Sequence, residues 1–118
     1  MSSISDAERA LLIAACRDRR RRFVERTRER PSEWRPFEVL QYVEFNIFFT
    51  DQTAFEFLAD ELSSACAVAK VLLRHPPGAS GYEMTFGLPA DRVLYAKLEL
   101  NGRIVFGRSF HPSVKSGK

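Results

Sequence analysis

RVLYAKLELNGRIVFGRSFH, residues 92–111, is the stretch that decides the fold. It reads as two strands joined by Asn101-Gly102, a strong hairpin signal because a type I′ turn needs positive φ at both central residues. With a two-residue loop, Leu100 faces Arg103, Leu98 faces Val105 and Ala96 faces Gly107; with Leu94, that face is suited to pack on helices. The other face pairs Glu99 with Ile104, Lys97 with Phe106, Tyr95 with Arg108 and Val93 with Phe110. Tyr95, Lys97 and Arg108 then gather on an apolar wall. A phenol and two cations there can hold an anion or RNA, or simply form a solvated outer face with a cross-strand Tyr–Arg contact.

Working outward, 118 residues make one domain, long enough for a real core. No apolar run is long enough to span a bilayer and the start lacks a signal-peptide pattern, so the expected location is the cytoplasm, away from membranes. Cys16 and Cys66, both in helical patterns, read as small buried apolar residues. Without a CxxC and with two histidines, no metal site and no cofactor is implied. The net charge of +3 is unevenly spread. Residues 17–30 hold eight arginines against three acids, residues 31–91 three bases against nine acids, and residues 92–118 six bases against one acid. A basic helix and a basic hairpin around an acidic middle point to a side that faces a polyanion.

In chain order, Ser5-Asp6-Ala7-Glu8 is a capping box that starts a helix predicted from about Asp6 to about Glu29, with Pro31 as its stop. Arg19, Arg20, Arg21 and Arg22 inside it would point cations almost all the way round. They fit a solvated face, or contact with phosphate or an acidic partner. Pro31 to Arg35 reads as a linker, followed by a short helix from Pro36 to Tyr42. Residues 43–49 alternate as a strand does, but also fit a helix end with an extended connection, which is the reading taken. Thr50 caps a helix predicted over Asp51–Leu73, with Glu56, Asp60 and Glu61 as a solvated acidic face. A loop over 75–81, a strand over Tyr82–Leu88 and the hairpin follow; Pro112 should end the sheet, leaving 113–118 as a frayed tail. Helices first and three consecutive strands last make an α+β fold, with helices on one face of an antiparallel sheet.

Gly-rich phosphate loops and nucleophile elbows are absent. What remains is Tyr95, Lys97, Arg108 and His111 beside one sheet. Cleavage of RNA by its own 2′-OH needs a base, an acid and cations at phosphorus, roles open to these four side chains. The segment Tyr95-Ala96-Lys97-Leu98, a short turn, and Ile104 to Ser109-Phe110-His111 resembles the C-terminal strands of MqsR-family toxins. These are RNA-cleaving members of type II toxin–antitoxin systems with a RelE-like fold. The resemblance covers about Phe37 to His111, its motif some twenty residues. It implies an endoribonuclease (mRNA interferase) with Tyr95 as catalytic tyrosine, His111 as the basic residue after Ser-Phe, Lys97 beside them, and a cognate antitoxin as partner. The family's glutamine on the preceding strand has no counterpart, Tyr82 and Glu83 standing there; its lysine after the long helix is matched only loosely by Arg74 or His75. The straight hairpin register puts His111 on the face opposite Tyr95; either a bulge near Gly107 corrects this, or His111 swings round at the strand end, or His111 is not the matching residue. Two other classes stay open. One is a non-catalytic nucleic-acid-binding module; the other is an immunity or adaptor protein docking an acidic partner through the arginines of 17–30.

Overall fold

The capping box at Ser5 forms: its hydroxyl accepts from the Glu8 N–H and the Glu8 carboxylate accepts from the Ser5 N–H. It starts α1, Asp6–Arg17, in a computed structural model that describes residues 4–114. The helix stops at Arg17, not Glu29, with Asp18 already extended. From Arg17 to Arg22 no apolar residue offers a packing face, and arginines three and four apart repel along a helix. Arg22 turns inward instead. Its guanidinium donates to the Cys16 carbonyl (2.6 Å) and to Gln52 (2.6 Å), and lies 3.4 Å from the Glu56 carboxylate. A cation thus closes the carbonyl end of α1 and ties it to the second helix.

Two short strands follow, β1 (Arg22–Phe23) and β2 (Glu33–Trp34), where the interior of the long helix and a linker were predicted. Trp34 is fully buried and stacks on Phe55 at 4.7 Å. The predicted helix over 36–42 shrinks to a single 3-10 turn, Pro36–Glu38. Residues 43–49 then form a second 3-10 turn, Val43–Phe45, and a two-residue strand, β4 (Ile47–Phe48), which pairs with β3 (Leu40–Tyr42); Asn46 between them is in the left-handed region at φ 57.

α2 runs Asp51–Ser63 behind a Thr50–Thr53 capping box and ends ten residues before the predicted Leu73. The Ala65 N–H bonds to the Leu62 carbonyl and the Cys66 N–H to the Glu61 carbonyl, a Schellman closure with Ala65 at φ 64. Arg9 donates to the Leu62 and Cys66 carbonyls at 3.0 Å, a second cation at a helix C-terminus. Cys66 therefore sits beyond the helix, half-buried, while Cys16 is fully buried and its thiol is pushed up to about 12 by burial.

The strands β5 (Ala69–Leu72), β6 (Ser80–Leu88), β7 (Arg92–Asn101) and β8 (Ile104–Val114) form an antiparallel series. β1 and β2 both join the far edge of β8 in parallel, so the six-stranded sheet is mixed. The molecule is α+β: two helices, this sheet and the small β3–β4 sheet. One buried cluster draws on Leu12, Ala15 and Cys16 of α1, Phe55 and Leu58 of α2, Trp34, and Met84, Leu94, Leu98 and Phe110 of the sheet. Pro112 does not end β8: it pairs with Leu94, and Ser113 with Val93. A residue without an N–H is tolerated there because β2 reaches only Phe110 along that edge. The rest of the predicted tail, 115–118, lies outside the described residues. Among the described residues no helix is long and apolar enough to cross a membrane.

Candidate active site

The hairpin turn is centred on Gly102-Arg103, with Asn101 paired to Ile104. Positive φ falls on Gly102 (+63°) and not on Arg103, the pattern of a II′ turn instead of I′. Leu100 therefore faces Val105, Glu99 faces Phe106 and Leu98 faces Gly107. This slides the predicted register by two residues and leaves every side chain here on its predicted face. A bulge follows. Leu98 pairs with Gly107 but Lys97 pairs with Ser109, so Arg108 is the extra residue. Beyond it Tyr95 faces His111, with ring centroids 5.7 Å apart, in place of the predicted Tyr95–Arg108 pair. Phe110 now points inward, opposite Ala96, in place of facing Val93.

The bulge is held from the core side. Gly107 lies under the Trp34 indole, and a Cβ built there would be 2.6 Å from its ring. Phe110 packs against the rings of Trp34 (5.3 Å) and Phe49 (5.2 Å). On the other side of the sheet, the outer face, the Tyr95 hydroxyl donates to Glu83 Oε2 at 2.6 Å. Lys97 Nζ is 3.9 Å from the same oxygen and 5.9 Å from the Tyr95 ring centre. Partial burial, then the bond to Glu83, raises the Tyr95 pKa, so the phenol is a neutral donor across the physiological range. His111 Nδ1 is 3.1 Å from the Pro112 carbonyl, which can only accept, so Nδ1 carries a hydrogen. Nε2 faces Glu33 at 3.7 Å.

Arg108 is more occupied than its sequence role required. Nη1 donates to Glu99 (2.8 Å) and Nε to the Pro31 carbonyl (3.0 Å). Glu99 is fully buried and also receives Arg30, whose guanidinium lies 4.1 Å above the Phe106 ring. Two shallow depressions, about 330 and 370 Å³, meet at Lys97 and Arg108. The first is bordered by Arg74, His75 and Glu83, the second by Ser32, Glu33 and Ser109. So Tyr95, Lys97, Arg108 and His111 share one face, with Arg74 and His75 at its rim.

The arginines of 19–22 do not join them. The Arg21 carbonyl accepts from Val105 N–H, so this stretch lies six residues from His111 along β8, roughly 20 Å at strand spacing. Arg22 is internal, Arg21 donates to the Arg103 carbonyl, and Arg19 and Arg20 are exposed in the turn after α1. The predicted basic helix is absent from these residues.

Sequence reasoning underrated the carboxylates. Glu83 faces Lys97 directly across β6 and β7, a contact that the strand pattern of 82–88 could have supplied. Glu33 arrives through β2, whose two-residue length gives no periodic signal. Together the groups offer a proton acceptor (Glu83), a neutral donor (Tyr95), an imidazole whose Nε2 faces Glu33, and a cation (Lys97) along one open strip. Among the described residues, no three His, Cys, Asp or Glu side chains converge as a metal-binding set. No family model matches this chain, and no curated protein and no solved structure matches it.

Proposed function

We propose that the chain is a toxin-like endoribonuclease of the type II toxin–antitoxin kind, working on the outer face of the sheet by acid–base chemistry without a metal. The helices form the backing layer of the sheet, RNA is the substrate, the protein acts in the cytoplasm, and an acidic antitoxin is its partner. The observation that carries the reading is the bulge at Arg108, which sets His111 opposite Tyr95 and beside Lys97. The Tyr-x-Lys and Ser-Phe-His resemblance supports it. His111 Nε2 exchanges a proton, Tyr95 donates a hydrogen bond to the phosphate, and Lys97 balances charge growing at phosphorus. Glu83 keeps Tyr95 and Lys97 aligned until RNA displaces it. Arg74 and His75 guide the flanking backbone. The test is purified protein on a mixed RNA substrate, with and without EDTA, beside Tyr95→Phe and His111→Ala. Chelator-resistant cleavage that both variants lose supports the proposal; no cleavage by the wild type, or equal cleavage by all three, removes it.

One observation favours a second reading as a protein-interaction module. Phe37, Tyr42, Val43, Phe45, Ile47 and Phe48 are all exposed within twelve residues. Contiguous apolar surface of this kind marks a contact with another molecule.

A further inference from the structure

β6 is nine residues long, yet β5 covers only part of it. Ala69–Leu72 pairs with Glu83–Ser80, and the chain at Ala67 and Val68 peels away. From Met84 to Leu88 the strand has β7 on one side and, among the described residues, no strand on the other. The main chain of this five-residue edge, ~17 Å long, is an open template for a further strand.

Apolar depressions flank the edge on both faces of the sheet. The outer one, about 240 Å³, is lined by Ala67, Val68, Thr85 and Tyr95. The inner one, about 320 Å³, is lined by Leu40, Phe57, Phe86 and Leu88. Successive residues of a strand point to opposite faces, so a strand added here would send neighbouring side chains into the two depressions in turn. A helix laid along the edge would reach one of them only. A second copy of this chain fits poorly: its own free edge would turn only Thr85 and Gly87 outward, too small for the outer depression. Charge adds a preference. Val43 and Ala90 share a depression with Leu88 that Glu38 and Arg92 also line, and the acids that follow them in sequence, Glu44 and Asp91, are exposed, so three acids stand against one base.

We propose that Met84–Leu88 is a strand-addition site for an extended segment of another protein. That segment has bulky apolar residues at neighbouring central positions and basic residues beside them. The proposal does not rest on the ribonuclease reading, though the outer depression shares Tyr95 and Glu83 with that site.

The probe is a set of ten-residue peptides with a lysine pair at each end and every combination of Val, Ile, Leu and Phe at three central positions. They are titrated against the full chain and followed by amide hydrogen exchange. Binding by members of the set, with slowed exchange confined to Met84–Leu88, is expected. Thr85→Trp, which fills the outer depression from an exposed position, should weaken binding at least tenfold while the melting temperature holds. Three outcomes overturn the proposal: no peptide slows exchange at these amides, Thr85→Trp binds as the wild type does, or peptide-free protein dimerises and Thr85→Trp abolishes the dimer. The last would assign the edge to a second copy.

Discussion

Two charged clusters share the outer face of the sheet, a few residues apart on the same strands, and they are built for opposite ends. Around Glu99 the charges are sealed. Arg30 and Arg108 close on one carboxylate, Phe106 lies beneath Arg30, and the 24–32 segment covers them. Around Glu83 the charges are loose. Lys97 stands 3.9 Å off, Glu33 is 63% exposed, and the depressions between them open to solvent. The first cluster spends its polarity inside the protein, and the second keeps partners exchangeable. Arg108 belongs to both, with two nitrogens committed to the sealed side.

That contrast can be broken by experiment. The largest effects belong to the open cluster. Tyr95→Phe or His111→Ala should each lower RNA cleavage by roughly 10²–10⁴, the usual worth of one acid–base group, without moving the urea midpoint. A midpoint that falls with the activity would make these residues structural.

The sealed cluster should answer in stability instead. Glu99→Ala leaves two arginines facing each other under the loop and should cost about 3–5 kcal/mol, the range for one partner lost from a buried pair. Glu83→Ala, on the half-exposed side, should cost under about 1 kcal/mol. Equal losses in chemical denaturation would erase the distinction between the two clusters.

Between them stands the bulge. Gly107→Ala pushes a methyl into the Trp34 ring and should cost about 1–3 kcal/mol, as overpacking does. Cross-strand NMR contacts between residues 95 and 111 should weaken in the same variant. Unchanged contacts would show that the glycine is not what holds the register.

The smallest effect lies away from both clusters, at Glu8. Lys70 at 2.5 Å, then the Ser5 N–H and the Tyr82 hydroxyl, hold its carboxyl down at about 2. A depressed carboxyl stabilises the fold above its unfolded pKa of about 4.5 and loses that contribution as pH falls toward 2. Glu8→Gln should therefore cost up to about 1 kcal/mol at pH 7 and nothing near pH 2, read from melting curves across that window. A pH-independent difference would assign the loss to packing.

Where the sequence carried a local signal, the fold was legible. The Ser5 capping box, the Thr50 N-cap, and the hairpin with its two faces as far as Gly107 follow from residue spacing alone. The end of α2 was hidden because Ala65, not glycine, takes the left-handed position, so the usual stop mark is missing. The arginine run read as a helix because propensity is local. Its fate was decided by a distant carboxylate, Glu56, and by an edge of β8 that accepts parallel strands. Trp34 looked like linker because two-residue strands have no period to detect. At the site, Tyr95, Lys97 and His111 were readable from the motif. Their juxtaposition was not, since a bulge is chosen by packing across the sheet. The comparison of clusters was invisible for the same reason: Glu99 and Glu83 look alike in sequence and differ only in what folds over them.

The extra residue at Arg108 sets a phase. Upstream of it, odd-numbered positions of β8 face the core; downstream, even-numbered positions do. Deleting one residue there would send Phe110 toward solvent and His111 inward. The aromatic cluster around Phe110 would resist that exchange. The core therefore acts as the timing element of the outer face: the pairing of Tyr95 with His111 on one side of the sheet is kept in step by hydrophobic packing on the other. Substitutions at Trp34 or Phe49, which touch neither Tyr95 nor His111, can put the two out of step.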